Sequence, residues 1–296
     1  MPAAADLFQL YAFGATDVGR RREANEDAFF VSEEQGLFIV SDGMGGAPAG
    51  DLASAAVVQT LPLQVAAKRM AWILGKAPDP QNVGEGLVQA IGYVNDMLLE
   101  KTRGIPESEG LGATVVAGLY AGQGVLAVAH LGDSRAYLLR NGYFELLTND
   151  HTMANMLFRA GRISRDELLR HPARHVLTRH IGMDDCPAAD IGLLPLSAGD
   201  RILFCSDGLT GMLQDEEIGT ILTNNKDREE ACRHLIARAN EEGGVDNITV
   251  VIVDVEGPEP FAEQRSQKIV VRESIGQSLA GSHEEKKQEE DAFLQL

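Results

Sequence analysis

The sequence predicts an α+β protein in which packed, mostly antiparallel β-sheets lie inside and helices lie outside. Strand-like apolar runs come in clusters, and helical patterns lie between the clusters instead of alternating regularly with single strands. The chain of 296 residues can bury a large core, and its 44% hydrophobic and 24% charged residues are typical of a globular protein.

The predicted strands are short runs of apolar residues bounded by turn signals. In chain order they cover residues 29–31, 38–40, 114–120, 125–131, 135–140, 143–147, 202–205 and 248–255. Residues 1–11 are interpreted as a short leader that enters a further strand. Asn141-Gly142 separates two of the runs, which indicates a hairpin with a type I′ turn.

The predicted helices carry alanines or apolar residues at helical spacing. They cover residues 51–68, 82–102, 215–223 and 227–240. Pro62 is expected to disturb the first of them. A short helix begins at the capping box Ser164-Arg165-Asp166-Glu167, within a stretch from Asp150 to Gly182 that is helical and irregular.

The composition changes after Gly257, so residues 1–257 are expected to form one domain and residues 258–296 an acidic, flexible tail. Within the tail, Lys268–Arg272 offers one candidate strand or docking segment. A regulatory or targeting segment is the alternative interpretation of this tail.

The overall charge limits the classes of partner. A formal net charge of −18 argues against a nucleic-acid partner, which would need a basic face. Neither an apolar run of membrane-spanning length nor a signal peptide is evident, so the expected location is the cytoplasm, with no membrane contact. The three cysteines are widely spread and odd in number, so they imply no disulfide framework.

Two short motifs indicate a cation site. Ser41-Asp42-Gly43 and Ser206-Asp207-Gly208 each follow an apolar run that predicts a buried strand. A carboxylate at the end of a buried strand is unfavourable unless a positive charge meets it. Either motif alone is best interpreted as a turn. Two of them, far apart in the sequence, predict one shared site.

Three further motifs place an aspartate at the start or end of a predicted strand. They are Asn25-Glu26-Asp27-Ala28, Gly132-Asp133-Ser134-Arg135 and Asp246-Asn247. Hard divalent cations such as Mg²⁺ and Mn²⁺ prefer oxygen ligands, which carboxylates and water supply. No cluster of cysteine and histidine with zinc spacing competes with this interpretation.

Taken together, the motifs resemble those of the PP2C (PPM) family of metal-dependent serine/threonine protein phosphatases, in its bacterial form. They follow the family's order and cover roughly residues 12–255. The matching motifs are Arg22 with Asn25-Glu26-Asp27-Ala28, Ser41-Asp42-Gly43-Met44-Gly45-Gly46, Gly112-Ala113-Thr114, Gly132-Asp133-Ser134-Arg135, Asp150-His151-Thr152, His175-Val176-Leu177-Thr178-Arg179, Ser206-Asp207-Gly208-Leu209 and Asp246-Asn247. The resemblance implies two central antiparallel sheets with helices on both outer faces and metals at one end.

The resemblance also implies an activity and a ligand set. The activity is hydrolysis of phosphoserine and phosphothreonine on proteins, reversing a serine/threonine kinase, by a hydroxide that bridges two Mn²⁺ or Mg²⁺ ions, without a covalent phosphoenzyme. The implied ligands of the two core ions are Glu26, Asp27, Asp42, Gly43, Asp207 and Asp246. Among these, Asp42 would bridge the ions and Gly43 would contribute its carbonyl oxygen.

Two more residues receive roles from the resemblance. Asp133 matches the position that holds a third, weaker ion, although a simple hairpin turn is the alternative. Arg22 matches the phosphate-binding arginine, since a guanidinium can bind phosphate in a bidentate fork. Met44 stands where animal relatives carry a histidine proposed as general acid, so another group must protonate the leaving oxygen.

Other features are judged less informative. Cys232 and Arg238 have the spacing of cysteine-dependent phosphatases, but they lie in a helical pattern without phosphate-binding glycines. His171 and His175 have metal-ligand spacing, yet satisfied or exposed histidines are favoured. One basic cluster of arginines is expected to meet an acidic or phosphorylated partner, with ordinary surface arginines as the alternative. Its members are Arg159, Arg162, Arg165, Arg170, Arg174 and Arg179.

Two other functions stay open from the sequence. One is a non-catalytic phosphoprotein-binding module of the same fold, and the other is a two-metal phosphohydrolase of a small phosphate ester. The expected partners are phosphorylated protein substrates and a cognate serine/threonine kinase. The expected oligomeric state is a monomer.

Overall fold

The computed structural model describes residues 8–46, 49–73, 79–105, 110–185, 188–258 and 270–272. Within these ranges the chain forms two antiparallel sheets. The five-stranded sheet has the order β1-β11-β10-β7-β8. Its strands are β1 (Gln9–Asp17), β7 (Arg135–Arg140), β8 (Tyr143–Leu146), β10 (Arg201–Cys205) and β11 (Ile248–Glu256).

The second sheet has seven strands in the order β12-β9-β6-β5-β3-β2, with a short β4 paired to β3. Its strands are β2 (Asp27–Ser32), β3 (Leu37–Met44), β4 (Gly112–Ala113), β5 (Val115–Gly122), β6 (Val125–Leu131), β9 (Asp190–Pro195) and β12 (Val270–Arg272). β12 lies within the candidate segment 268–272 and pairs with β9. The division into a domain at 1–257 and a tail stays a prediction.

The helices cover both outer faces of this pair of sheets. α1 (Ala49–Ile73) and α2 (Pro80–Thr102) pack on the seven-stranded sheet, and α5 (Asp207–Thr210), α6 (Asp215–Asn224) and α7 (Arg228–Glu241) pack on the other sheet. Between β8 and β9 lie α3 (Met153–Arg159) and α4 (Arg165–Arg170). The predicted fold class, α+β with two packed sheets and helices on both outer faces, is confirmed. None of the helices in the described ranges combines the length and apolarity needed to cross a bilayer.

Strand β3 shows why the central strands are continuous apolar runs. Leu37 and Ile39 pack toward α1 and α2, whereas Phe38 and Val40 pack between the sheets with residues such as Phe204. All are fully buried, because an inner strand of this sandwich has a covered surface on both faces. Burial of each such side chain contributes about 1.5–3 kcal/mol to folding.

Two local predictions have different outcomes. The turn at Asn141-Gly142 has φ values of 53° and 81°, as a type I′ hairpin requires, so that prediction is confirmed. Pro62 does not interrupt its helix, because α1 continues to Ile73. The apolar face of α1, which includes Val57 and Leu61, is buried against the sheet, and this packing offsets the lost backbone hydrogen bond.

Strand β9 is an element that the sequence did not predict. Its sequence, Asp190–Pro195, contains a glycine and a terminal proline, both of which weaken a strand signal. The strand forms because β6 offers it a long antiparallel partner, and alternate residues of β9 are buried. It matters for the site described below because it begins at Asp190.

Candidate metal centre

Strand termini bring the five predicted aspartates to one end of the sandwich. Asp27 and Asp42 lie opposite each other across the β2–β3 pair. Asp133 follows β6, Asp207 follows β10, and Asp246 lies just before β11. Because β10 and β11 are antiparallel neighbours, the end of one and the beginning of the other share an edge of the sheet.

Asp42 lies at the electrostatic centre of this group. Burial raises the pKa of its carboxyl well above the ordinary value, and the charges of Asp27, Asp207, Asp133 and Asp246 raise it further. The pKa of Asp133 is also raised well above its ordinary value, by burial and then by Asp207. Carboxylates packed this closely repel each other unless a cation lies among them.

Asp27 provides a direct test of whether a cation fits. Its Oδ2 accepts a hydrogen bond from Ser206 Oγ at 2.7 Å. Its Oδ1 is buried and accepts no hydrogen bond from any described residue. Burial raises the pKa of Asp27 to about 7, although the hydroxyls of Thr249 and Ser206 oppose that shift. A divalent cation would satisfy the remaining oxygen, so the residues present fit a metal.

Thr114 connects Asp42 to the loop that carries Asp133. Its Oγ1 accepts a hydrogen bond from the Asp42 backbone N–H at 3.0 Å and pairs with Ser134 Oγ at 2.6 Å. Its backbone N–H donates to the Asp42 carbonyl at 2.8 Å. The motif Gly112-Ala113-Thr114, recognised in the sequence without a role, therefore positions one aspartate relative to the other.

Asn247 holds the loop that precedes β2. Its Nδ2 donates to the carbonyls of Val18 and Ala24, both at 2.9 Å, and its Oδ1 accepts from the Glu26 N–H at 2.8 Å. The side chain is 4% exposed, so these bonds are shielded from water. Asn247 thus fixes the segment that contains Arg22 and Glu26 beside Asp246.

The glycine of each Ser-Asp-Gly motif is required by close packing of the backbone. A Cβ at Gly43 would lie 2.0 Å from the carbonyl oxygen of Gly50, and a Cβ at Gly208 would lie 1.9 Å from that of Asn247. No side chain fits at either position. Because glycine has no side chain, the backbone that directly follows Asp42 and Asp207 can pack against the carbonyl groups of Gly50 and Asn247.

Arg22 and Glu26 lie at the edge of the cluster. Arg22 Nη2 donates to Asp246 Oδ2 at 2.7 Å, and its side chain is 49% exposed, as expected for a group at the mouth of a site. Glu26 is buried and its carboxylate lies against Gly50. Its charge is not among the strongest that act on Asp42. Glu26 is therefore a weaker candidate ligand than the five aspartates.

His175 is a site residue that the sequence interpretation missed. It is exposed, as predicted, but its Nδ1 lies 3.5 Å from Asp207 Oδ2. One ligand atom each from Asp133, His175 and Asp207 lie within 4.8 Å of one another. Its motif and spacing did not reveal this contact, because the acidic neighbours come from distant parts of the chain. His171 is satisfied as predicted, since its Nδ1 accepts from the Ala173 N–H at 3.1 Å.

A buried cluster around His151 supports the Asp133 loop. His151 Nδ1 accepts from the Gly132 N–H at 3.1 Å, and its Nε2 lies 3.1 Å from Asp190 Oδ2 and 2.8 Å from Arg179 Nη1. Arg179 Nη1 donates to Asp190 Oδ1 at 2.9 Å. Although burial opposes the shift, these two partners lower the pKa of Asp190 to about 2. Arg179 is therefore a structural arginine, unlike the exposed members of its basic cluster.

The cysteine motif carries no chemistry. Cys232 is buried in α7, and burial raises the pKa of its thiol to about 12, which keeps it protonated and weakly nucleophilic. Arg238 is bound instead by Glu217, Glu241 and Glu242. Cys205 is a core residue, as predicted. Cys186 lies outside the described residues.

The raised pKa values predict that metal binding releases protons. Asp27, with a pKa of about 7, is partly protonated in the metal-free fold near neutral pH, and burial and neighbouring carboxylates raise the pKa of Asp42 as well, whereas a ligand carboxylate must be ionised. More protons should therefore leave on Mn²⁺ binding at pH 6.5 than at pH 9. Calorimetric titrations in two buffers of different ionisation enthalpy measure this number. A number that is constant across that range would contradict the assignment, and Asp27→Asn should lower it at pH 6.5.

The comparisons with known proteins agree with this geometry. Residues 18–249 match the family described as protein phosphatase 2C. The serine/threonine phosphatase stp of Listeria innocua is 36% identical over 248 residues, which are 83% of this chain and 96% of that protein. The protein phosphatase PhpP of Streptococcus pneumoniae is 33% identical over 247 residues, or 81% of this chain and 95% of that one.

Solved structures give the same result. The serine/threonine phosphatase of S. agalactiae aligns with a TM-score of 0.75 and 34% identity, covering 83% of this chain and all of that chain. The catalytic domain of the phosphatase PstP, solved with two manganese ions, aligns with a TM-score of 0.73 and 32% identity, covering 84% and 99%. The family match spans most of the chain and includes every motif from Asp27 to Asp246. This chain belongs to the protein phosphatase 2C family of metal-dependent protein phosphatases.

Proposed function

We propose that this protein hydrolyses phosphoserine and phosphothreonine in proteins with Mn²⁺ or Mg²⁺, and that its preferred substrates carry acidic residues near the phosphorylated site. The observation that carries the reaction is the convergence of four aspartates, Asp27, Asp133, Asp207 and Asp246, on Asp42, with Arg22 at the mouth. Such a cluster holds cations, and cations with an exposed guanidinium beside them suit a phosphate ester.

The chain offers oxygen ligands for two core ions. Asp42, Asp27 and the Gly43 carbonyl would hold ions on the side of the seven-stranded sheet, and Asp207 with Asp246 on the side of the other sheet. Divalent ions bound there lower the pKa of water and neutralise phosphate charge. These oxygen donors suit Mg²⁺ and Mn²⁺ alike. The availability of each ion therefore decides which one is bound as much as the ligands themselves do.

Arg22 would orient the phosphate. Arg22→Ala should chiefly raise KM, by about tenfold, since the guanidinium binds the phosphate in the ground state and transition state alike. The exposed neighbour Arg21 supplies a matched control, because Arg21→Ala removes the same charge one residue away. Steady-state kinetics on a phosphothreonine peptide measure both constants. A loss confined to kcat would instead assign Arg22 to the transition state.

Met44 cannot act as a general acid, because a thioether carries no ionisable proton. It lies at the end of β3, directly after Gly43. Protonation of the leaving alkoxide therefore falls to water or to another side chain near the centre.

The substrate preference rests on the segment between β8 and β9. This segment carries five exposed arginines in a chain whose net charge is −18. They are Arg159, Arg162, Arg165, Arg170 and Arg174. The segment reaches the centre at His175, 3.5 Å from Asp207, and its positive charge would attract an acidic phosphopeptide and accelerate its encounter at low salt. A cognate serine/threonine kinase, a cytoplasmic location and a monomeric state remain predictions.

The test is release of phosphate from paired phosphothreonine peptides with acidic or neutral flanking residues, alongside p-nitrophenyl phosphate. We expect Mn²⁺-dependent turnover that a chelator and Asp207→Asn abolish, with kcat/KM highest for the acidic peptide and that advantage reduced by salt. Peptide binding without turnover would support the non-catalytic module. Faster hydrolysis of small esters than of every phosphopeptide would support the small-molecule phosphohydrolase.

A further inference from the structure

We propose that His175 supplies a nitrogen ligand to the third divalent ion, so that the outer site consists of Asp133, Asp207 and His175. This inference rests on the proposed function, because it concerns the metal centre of that reaction. Each ligand comes from a different part of the fold. Asp133 lies in the β6–β7 loop, Asp207 follows β10, and His175 lies between α4 and β9.

The distances are those of a site that needs little rearrangement. His175 Nδ1 and Asp207 Oδ2 are 3.5 Å apart, and the three ligand atoms lie within 4.8 Å of one another. Ligand atoms bound to one ion at about 2.1 Å are separated by at most about 4.2 Å, so a small inward shift completes the site. The imidazole side chain is 54% exposed and can make that shift, while Asp133 is buried.

Two backbone hydrogen bonds hold the chain just after His175. The Met153 N–H donates to the Val176 carbonyl at 2.8 Å, and the Thr178 N–H donates to the His151 carbonyl at 2.9 Å. These bonds hold the residues after His175 against the start of α3. The imidazole is therefore presented toward Asp207 by a defined backbone.

A nitrogen ligand would make the outer site chemically different from the core. The core candidates offer only oxygen, which suits Mg²⁺ and Mn²⁺ alike, whereas imidazole favours transition metals over Mg²⁺. The outer site should therefore prefer Mn²⁺. An ion held by His175 would also order the segment that carries the adjacent Arg174, one of the exposed arginines proposed to meet the substrate.

The experiment uses the full chain loaded with two and then three equivalents of Mn²⁺. Pulsed electron paramagnetic resonance detects nitrogen bound directly to Mn²⁺, and calorimetry measures affinity at the weak site. We expect a nitrogen coupling that arises with the third equivalent and disappears in His175→Ala. The affinity of that site for Mn²⁺ should fall about tenfold or more, with little change for Mg²⁺ and for the two tight sites.

Two further variants make the result specific. His171→Ala removes another histidine of the same segment and should leave the coupling and the affinity unchanged. His175→Gln retains a polar side chain of similar reach and should lose the nitrogen coupling even if His175→Ala folds poorly. Persistence of the coupling and of weak-site affinity in a folded His175 variant, or absence of the coupling in the wild type, would overturn the proposal.

Phosphatase assays on the same samples test the proposed function separately from the His175 metal site. An active wild type without nitrogen coupling would overturn the His175 site and leave the proposed function intact. A wild type that shows the coupling but releases no phosphate from any phosphopeptide would overturn the proposed function and leave the His175 site standing.

Discussion

Asp42→Asn should abolish turnover and also raise the thermal stability of the metal-free protein. Asp42 is the carboxylate on which all the neighbouring charges act, so it is the residue best placed to share both core ions. An amide has a similar shape but no charge, and it cannot replace a bridging carboxylate. We expect kcat to fall below about one hundredth of the wild-type value.

The effect on stability has a definite dependence on pH. The folded-state pKa of Asp42 is raised, so its ionised form destabilises the metal-free fold at any pH above its unfolded pKa, and most strongly above its folded pKa. Asp42→Asn removes that penalty. The melting temperature should rise by about 3 °C or more at pH 8, and the gain should disappear near pH 4.

Thermal melts in chelator at both pH values, together with assays in excess Mn²⁺, measure this pair of effects. Asp96→Asn serves as a control, because Asp96 is exposed on α2 and its substitution should change neither quantity. A folded Asp42→Asn protein that retained a tenth of the wild-type kcat would contradict the two-metal assignment. A lower melting temperature at pH 8 would contradict the electrostatic account of the cluster.

The second large effect separates the outer ion from the core pair. Asp133→Ala should leave two ions tightly bound and slow turnover by about tenfold or more, whereas Asp207→Asn should weaken a core ion as well and be more severe. The reason is geometric. The charge of Asp207 acts on Asp42 more strongly than that of Asp133 does, and Asp207 also lies beside His175.

Calorimetric titration with Mn²⁺ and phosphopeptide assays on the same preparations would distinguish the two residues. Loss of both tight sites in Asp133→Ala would make Asp133 a core ligand. No change in binding or rate at any Mn²⁺ concentration would reduce Asp133 to a turn residue, which was the alternative interpretation of its motif.

The candidate core ligands could be named from the sequence because each has a local signature. An apolar run that stops at Ser-Asp-Gly predicts a buried strand with a carboxylate at its end, and β3 and β10 have that form. The hairpin at Asn141-Gly142 and the capping box at Ser164 were predictable for the same reason, because turn and cap chemistry depends on adjacent residues. Pro62 shows the limit of local rules, since tertiary packing kept α1 intact.

The sequence by itself determined the class of fold and the family, and it named the candidate carboxylates of the centre. The tertiary structure decided which distant side chains serve that centre. Asn247 reaches Val18 and Ala24, Thr114 joins Asp42 to Ser134, and His175 meets Asp207. Hydrogen bonds and metal ligation depend on distances in space between residues that are far apart in the chain. The hydrophobic periodicity of a segment, by contrast, indicates only which of its own residues are buried. These contacts therefore became visible only when the strands were assembled into sheets.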